Sequence, residues 1–346
     1  MTTFASDNYA GAHPAVVEAV AAANTGHAVA YGADPWTARA QELIQQQLGD
    51  DARAFLVFNG TGANVLALRA ACTAWGAVIC SQTAHLHVDE GGAPERVGGV
   101  KLLTTPTPDG KLVPDDVVRL TDRLGDEHQA QAQVVSIAQS TELGTLYTPQ
   151  EIRALADAAH ARHMLLHVDG ARLPMAAAAL GVPLREITTG AGVDLLSFGA
   201  TKVGALGAEA VVVLRPEGEL ADGLPFLRKQ SLQLASKGRF LAAQFIALLE
   251  DGLWERLASH ANAMAARLAD AVRDTPGLEI TQTVQANAIF AKLPAEVTAR
   301  LQQQFRFYTW DANTGEVRWM CSWDTTEEDV DAFAAAIKAE LAAVAA

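Results

Sequence analysis

The sequence has only three cysteines, and their arrangement excludes two kinds of site. Cys72, Cys80 and Cys321 are odd in number and form no CxxC pair, so they predict neither a disulfide framework nor a zinc knuckle. We expect them to be buried core thiols. Long apolar runs are missing too: residues 240–249 are too few to cross a bilayer, and no signal-type leader begins the chain. The sequence therefore predicts a soluble, cytoplasmic protein.

Positive charge is also in short supply. The chain has 26 Lys and Arg against 40 Asp and Glu, for a net charge of -14 and a pI near 5.0. Such a surface repels phosphate backbones, and no basic block compensates, so neither a nucleic acid nor a membrane is expected as a partner. An anionic small molecule would need positive charge gathered locally. Half of the 346 residues are hydrophobic, enough for one large domain and a smaller one.

The first two thirds of the chain alternate apolar runs with segments of helical period. Helices are predicted from Pro14 and from Pro35, the second capped by Asp34. Continuous apolar strands separated by helices are typical of a mostly parallel sheet covered on both faces, hence an α/β fold. The predicted strands are 54–58, 77–81, 100–104, 134–138, 164–168, 194–198 and 210–214.

Beyond these strands the pattern changes to long helices at about 232–250 and 252–274. The rest alternates short strands and helices, which predicts a small α+β domain. We place the boundary between residues 1–250, the large domain with the N-terminal segment, and residues 251–346. The predicted small-domain strands are 278–281, 286–293, 306–310 and 316–323, with helices at 294–304 and 326–342.

Gly60, Thr61 and Gly62 follow the first strand and precede a helix, an arrangement that directs unpaired N–H groups at an anion. The spacing matches neither the dinucleotide-binding nor the P-loop motif. Glycines are common in the turns that follow strands, so this feature alone is weak evidence for a phosphate-binding site.

The stretch from His85 to Glu90, HLHVDE, resembles the HxHxDH motif of metallo-hydrolases. Glu90 stands where that motif has its last histidine, so no metal is predicted. His85 is left with two interpretations, a flat imidazole against a flat ligand or part of a polar surface loop.

Asp169 ends one apolar strand and Lys202 follows the next, where open α/β sheets place their chemistry. Taken singly, Asp169 is explained as a helix cap and Lys202 as a solvated amine. Together with Gly60 to Gly62 they predict an anion seat, a carboxylate and an amine on successive strand ends.

Six motifs give the sequence a family resemblance: SDNYAGAHP, YGADPWT, NGTGAN, AHLHVDEGGAPE, HVDGARLPMA and SFGATK. Together they resemble the low-specificity L-threonine aldolases, lyases of amino acid metabolism among the fold-type-I pyridoxal phosphate enzymes. The likeness extends from Phe4 nearly to the C-terminus. It implies a large domain like that of aspartate aminotransferase and a homotetramer, a dimer of dimers with shared active sites.

The resemblance also implies roles for individual residues. Lys202 would bind the cofactor aldehyde covalently, Asp169 would hold a proton on the ring nitrogen, and His85 would stack on the ring. Gly60, Thr61 and Gly62 would hold the phosphate. The family pattern gives the substrate carboxylate to Ser6, Arg172 and Arg318, with Arg172 also beside the cofactor.

Two departures from the family pattern leave roles open. Glu142 stands where many members have a histidine, so the base that takes the substrate hydroxyl proton is His85, Glu142 or a water. The glycine-rich segment whose arginine reaches a neighbouring subunit's phosphate is replaced by residues 229–240, where Lys237 or Arg239 could supply the charge.

The expected activity is retro-aldol cleavage of L-threonine, L-allo-threonine and related β-hydroxy-α-amino acids to glycine and an aldehyde. The sequence leaves open another fold-type-I activity, such as β-elimination or transamination, and a non-catalytic protein of the same fold. It does not specify the aldehyde side chain or the threo/erythro preference.

Overall fold

The computed structural model describes residues 3–215 and 220–345. The helices of this part are α1 Pro14–Ala22, α2 Pro35–Leu48, α3 Gly60–Ala71, α4 His85–Val88, α5 Ala93–Arg96, α6 Pro114–Leu120, α7 Pro149–His160, α8 Leu173–Leu180, α9 Leu220–Gln230, α10 Arg239–Leu249, α11 Leu253–Val272, α12 Ala295–Leu301 and α13 Glu327–Ala345. The strands are β1 Arg53–Val57, β2 Gly76–Ser81, β3 Lys101–Thr105, β4 Gln131–Ala138, β5 Leu165–Gly170, β6 Leu195–Gly199, β7 Glu209–Val213, β8 Glu279–Ile280, β9 Ala288–Lys292, β10 Tyr308–Asp311 and β11 Glu316–Met320.

The large sheet has the order β1-β7-β6-β5-β4-β2-β3. β2 to β6 pair in parallel, whereas β7 runs antiparallel to both β1 and β6. This mostly parallel sheet with helical crossovers confirms the predicted α/β fold of the fold-type-I class. All seven predicted strands form, each within a few residues of its expected bounds.

Both faces of the large sheet are covered, which explains the continuous apolar character of its strands. In β7, Val211 and Val213 join a cluster with α3 and α9, while Ala210 and Val212 join the cluster that contains α2, α7 and α10. Because successive side chains of a strand point to opposite faces, both sets of positions along the strand centre are apolar.

The small sheet is antiparallel, with the order β10-β11-β9-β8. The N-terminal segment lies against it: Met320 N donates to Phe4 O at 2.8 Å, and Phe4 N donates to Arg306 O at 2.7 Å. The Phe4 ring stacks on Phe333 at a centroid distance of 4.5 Å. Residue 4 therefore packs with the C-terminal sheet, and the domain boundary near residue 250 stays a prediction.

One predicted helix is wrong in its first turns. The helix expected at about 232–250 begins only at Arg239, because Leu232 has a left-handed φ of 61° and interrupts the chain after α9. The Gln233 side chain instead turns inward, where its Oε1 accepts from Phe58 N at 3.0 Å. The segment 231–238 is thereby drawn onto the end of β1.

The cysteine prediction is only partly confirmed. Cys80 and Cys321 are buried, whereas Cys72 is only half-buried, and all three are free. Burial raises the pKa of the Cys80 thiol to about 12, so this thiol is unreactive at neutral pH. Among the described residues, no helix combines the length and the apolar character needed to cross a membrane.

Candidate active site

A cleft lies between the carboxyl ends of the large-sheet strands and the small sheet. It has two adjoining lobes, each of about 290 Å³. We call the lobe at the large-sheet strand ends the inner lobe and the one against β10 and β11 the outer lobe. The residues that line both lobes are Asn8, His85, Glu142, Arg172 and Lys202.

Asp169 and Lys202 come together in the inner lobe, as the sequence predicts. Asp169 lies at the end of β5, and Lys202 lies in the turn Thr201–Val203 that follows β6, the parallel neighbour of β5. Burial and then the Arg172 guanidinium lower the pKa of the Lys202 ammonium, against the opposing carboxylates of Asp7 and Asp169. A larger neutral fraction makes this amine a better nucleophile toward a carbonyl group.

The anion seat at the start of α3 differs in detail from the prediction. Neither glycine has a positive φ. Instead, a Cβ on Gly62 would lie 2.4 Å from the Gln233 side chain, and Gly62 N donates to Asn59 Oδ1 at 2.7 Å. Gly62 thus makes room for Gln233, and the inner lobe is lined by Gly60 and Thr61.

The space at Gly60 fits a bound group, since a Cβ there would meet nothing within 4 Å. The first N–H groups of a helix have no partner within it, so Gly60 and Thr61 can offer theirs to a phosphate. The seat, the Lys202 amine and the Asp169 carboxylate border one cavity. These donors, this amine and this acid suit the phosphate, aldehyde and ring nitrogen of pyridoxal phosphate.

Asp169 is held by two donors. Asn64 Nδ2 donates to Asp169 Oδ2 at 2.8 Å, and Ala171 N donates to Asp169 Oδ1 at 3.0 Å. Burial by itself raises the pKa of this carboxyl, but Lys202 and the Asn64 bond outweigh burial and leave the pKa lowered. Asp169 therefore remains a carboxylate where a protonated ring nitrogen would need its counter-charge.

Glu142 reaches both lobes from the turn after β4. Its Oε1 accepts from His85 N at 2.8 Å. Burial raises the pKa of the Glu142 carboxyl to about 7, with the His85 amide opposing part of that rise. A carboxylate with this pKa can accept a proton at neutral pH, unlike an ordinary exposed glutamate.

Glu209 also lines the inner lobe, and nothing in the sequence signals it. It begins β7 and pairs with Gly199 across the sheet. Burial raises the pKa of its carboxyl to about 7. Because such a carboxyl is easily protonated, it can share the lobe with an anion such as a phosphate.

Arg172 uses two of its nitrogens to bond Asp7, which the predicted role of binding the substrate carboxylate does not anticipate. Its Nε donates to Asp7 Oδ2 at 2.7 Å and its Nη2 to Asp7 Oδ1 at 2.9 Å. Asn287 Nδ2 also donates to Asp7 Oδ2, at 3.1 Å. Among the described residues, no hydrogen bond occupies the third guanidinium nitrogen, Nη1, so this nitrogen can bond a substrate.

We expect Asp7→Ala to lower the free energy of unfolding by about 3–5 kcal/mol, because it leaves Arg172 buried without its partner. Burial raises the pKa of Asp7, but Arg172 and Lys202 outweigh it and leave the pKa lowered. The pair therefore contributes its full stability at pH values above the pKa of an aspartate in the unfolded chain. This contribution is lost as the pH falls through the lowered pKa of Asp7 in the folded protein. Urea unfolding at pH 7 and at acid pH measures both effects.

Asp331→Ala is the matched control, because Asp331 receives the same two-bond contact from Arg267 at 2.9 and 2.8 Å on the exposed surface. Its removal should change the unfolding free energy little. Equal effects of the two variants would contradict the importance assigned to the buried pair.

Arg318 is a buried cation of the outer lobe with few hydrogen-bond partners. It lies on β11, and its Nη2 donates to Ala5 O at 3.1 Å. Its guanidinium carbon is 4.7 Å from the Trp310 ring centroid and 5.7 Å from that of Tyr308. Nε is buried without a hydrogen-bond partner within the part of the chain that the structure describes.

Burial, and then repulsion from Arg172, lower the pKa of the Arg318 guanidinium to about 10. A buried cation with an unpaired N–H is costly unless an anion arrives to bond it. Arg318 therefore offers the outer lobe a cation with an unused N–H donor.

The remaining predicted residues lie in two places. Ser6 lines the outer lobe and caps a short turn, its Oγ accepting from Asn8 N at 3.2 Å. Lys237 does not line the cleft of its own chain; it borders a separate groove with Arg239. Arg239 Nη1 donates to Thr25 O at 3.0 Å. The predicted phosphate contact from Lys237, made across a subunit interface, stays a prediction.

His85 and Glu90 do not assemble a metal-type cluster. Within residues 3–215 and 220–345, no group of three or more His, Cys, Asp or Glu side chains is placed to hold an ion. His85 Nδ1 lies 2.9 Å from Glu90 Oε1 instead. The two residues are thus bonded to each other beside the inner lobe.

The chain matches the β-eliminating lyase family model over residues 3–295. A low-specificity L-threonine aldolase of a Pseudomonas species is 43% identical over 342 residues, covering 98% of each chain. The one from Pseudomonas aeruginosa is 44% identical over 329 residues, covering 94% of each. The structure of the Leishmania major threonine aldolase superposes with a TM-score of 0.91 at 31% identity, over 99% of this chain and all of that one.

Proposed function

Because the chain belongs to the β-eliminating lyase family, and within it to the low-specificity L-threonine aldolases, we propose that it cleaves L-threonine and L-allo-threonine to glycine and acetaldehyde. Related β-hydroxy-α-amino acids would be cleaved to glycine and the corresponding aldehyde. The observation that most directly supports this proposal is a cleft lined by Lys202, Asp169 and Arg318. Among the described residues, Arg318 Nε has no hydrogen-bond partner. The cleft offers an amine and an acid for the cofactor and a cation for the substrate carboxylate.

The residues that would hold pyridoxal phosphate are Lys202, Asp169, His85, Gly60 and Thr61. When bound, the cofactor supplies a ring that accepts the electrons of a breaking bond at the substrate Cα. Asp169 keeps the ring nitrogen protonated through its own negative charge.

Arg318 and the free Nη1 of Arg172 hold the substrate carboxylate, with Ser6 beside them. Fixing the carboxylate fixes which Cα bond stands ready to break, so these residues choose the reaction as well as the substrate. For aldol cleavage a base must then remove the hydroxyl proton. Glu142 is that base in our proposal, because it borders both lobes and its pKa is about 7.

The deciding assay mixes the purified protein, supplied with pyridoxal phosphate, with L-threonine, L-allo-threonine and their D-forms. Equal amounts of acetaldehyde and glycine should appear from the L-forms. 2-Oxobutyrate and ammonia without glycine would instead identify an eliminating enzyme, and 2-oxo-3-hydroxybutyrate formed only with an added 2-oxo acid would identify a transaminating one. Protein that takes up no cofactor, and so gains no visible absorbance, would refute all of these activities together.

Glu142→Gln should lower kcat/KM by about 10²-fold, the lower end of the range for losing a general base. The glutamine oxygen can still accept from His85 N, so the fold should persist. In the wild type, kcat/KM should rise as the pH increases through about 7, since the base acts deprotonated. This rise should be missing in the variant.

The control for this substitution is Glu127→Gln, which changes an exposed glutamate remote from the cleft. It should retain the wild-type pH profile. A Glu142→Gln enzyme with the same rise near pH 7 would reassign the base to His85 or a water.

We further propose that the protein is a homo-oligomer. Phe58 and Leu206 remain 47% and 68% exposed, and each adjoins residues of the inner lobe. Exposed apolar side chains at the edge of a site support its being covered by a second copy. Light scattering of the purified protein measures the assembly.

A further inference from the structure

Glu90 is a buried carboxylate that the proposed reaction does not use. It lies five residues after His85, just beyond the short helix α4, and its side chain has 0% exposure. Its Oε1 accepts from Asn64 Nδ2 at 2.8 Å and lies 2.9 Å from His85 Nδ1. Burying an acid is costly unless hydrogen bonds satisfy it, and among the described residues the other oxygen, Glu90 Oε2, is buried without a partner.

Asn64 connects this acid to Asp169. Its Nδ2 group has two hydrogens, and the structure directs one to Glu90 Oε1 and the other to Asp169 Oδ2, both at 2.8 Å. A flipped amide would point its oxygen at two carboxylates, so the orientation is determined by its partners. Asn64 therefore bridges the loop after β2 to the end of β5.

The contact with Glu90 decides which nitrogen of His85 carries a hydrogen. A carboxylate only accepts, so Nδ1 must be protonated and Nε2 is left to face the cleft. The charged groups around the ring are Glu90, Asp169 and Lys202, and Glu142 bonds the His85 backbone. The bond to Glu90 is the largest influence on the pKa of His85, which it raises.

We propose that Glu90 is a positioning residue: with Asn64 it fixes the tautomer and direction of the His85 ring relative to Asp169. Hydrogen bonds connect His85 to Asp169 through Glu90 and Asn64. They hold the imidazole expected against the cofactor ring and the carboxylate expected at the ring nitrogen in a fixed relation. This inference rests on the proposed function for the role of His85, but the hydrogen bonds themselves form within the protein without cofactor or substrate.

A purely structural role for Glu90, holding the loop after β2 in place, makes different predictions. Such a role concerns the backbone, so any change at Glu90 or Asn64 would loosen the contact with His85 in the same direction. The positioning role predicts opposite effects. Glu90→Gln removes the charge beside Nδ1, whereas Asn64→Ala leaves Glu90 to bond His85 alone and so strengthens that bond.

The first test follows the His85 imidazole by NMR in the full chain, with and without pyridoxal phosphate, the signal being assigned by its absence in His85→Gln. The pKa of His85 should fall in Glu90→Gln and rise in Asn64→Ala. Glu95→Gln, the same change at an exposed position, should leave it unmoved. An unchanged pKa in Glu90→Gln, or equal falls in both variants, would overturn the proposal.

The second test is kinetic and uses L-threonine. Glu90→Gln should lower kcat about tenfold, the effect of one hydrogen bond to a charged group, with a smaller change in KM. In a His85→Gln background the same change should cost less than about twofold, since residues that act as a unit are not additive. Additive losses would show that Glu90 acts independently of His85.

The two tests separate this inference from the proposed function. If the wild type cleaves no β-hydroxy amino acid, the proposed function fails, while the opposed NMR shifts can still establish the bonded unit. If the wild type is an aldolase and the shifts are absent, Glu90 has no positioning role. Circular dichroism of each variant shows that the fold is retained in the comparison.

Discussion

Lys202→Ala should abolish covalent attachment of pyridoxal phosphate and lower turnover of L-threonine by at least about 10³-fold. The amine lies at the strand-end cavity with its pKa lowered by burial and by Arg172, and alanine leaves nothing there to bond a carbonyl or exchange a proton. The measurements are the absorbance of the loaded protein, borohydride trapping with mass spectrometry, and steady-state acetaldehyde release.

Lys338→Ala provides the comparison, since Lys338 is exposed on α13. It should bind the cofactor and turn over like the wild type. If Lys202→Ala were still labelled by borohydride reduction, another lysine would be the point of attachment. Normal steady-state turnover in that variant would refute the covalent role directly.

Arg318→Ala should lower kcat/KM for L-threonine by roughly 10³-fold, mostly through a higher KM. That figure corresponds to losing two hydrogen bonds to a charged group at about 2 kcal/mol each. Arg318 has an unpaired buried Nε, and its charge faces no carboxylate within ion-pair distance among the described residues, so an arriving carboxylate gains the full interaction. Initial rates over a wide range of substrate concentrations separate KM from kcat.

Arg318→Lys tests the geometry of the contact. Lysine keeps the charge but cannot form two parallel bonds, so it should restore only part of the lost kcat/KM. Arg267→Ala removes an exposed arginine paired with Asp331 and should have no kinetic effect. An Arg318→Ala enzyme with unchanged kcat/KM would remove Arg318 from the substrate contact.

The sequence predicts the strand ends well because their pattern is local. Asp169 follows one apolar run and Lys202 follows another. This pattern places both groups at the edge of a parallel sheet, independently of the conformation of the loops. The helix predicted at about 232–250 is wrong over residues 232–238, because tertiary contacts decide this segment and the Gln233 side chain accepts from Phe58 N. Residues 220–230 gave no helical signal, since Gly223 and Pro225 both disfavour a helix interior.

The partners of the site residues were less accessible to prediction. Asp7 follows the predicted Ser6, yet its contacts with Arg172 and Asn287 are 165 and 280 residues away. In the sequence, Glu90 stands out only as the residue that breaks a metal-type motif, and no regular spacing signals its bond to Asn64. Long-range polar pairs leave no periodicity to recognise, so they appear only in the folded chain.

The N-terminal segment has a consequence for the order in which this protein can be completed. Its Ala5 carbonyl accepts a hydrogen bond from Arg318, 313 residues later. Its Phe4 carbonyl accepts one from the backbone N–H of Met320, which lies on β11 with Arg318. Ala5 and Phe4 therefore obtain these two partners only after β11, Glu316–Met320, has been synthesised. The large sheet, whose strands lie within residues 53–213, can form during synthesis, whereas the outer lobe is complete only once β11 is available, through contacts of high sequence separation.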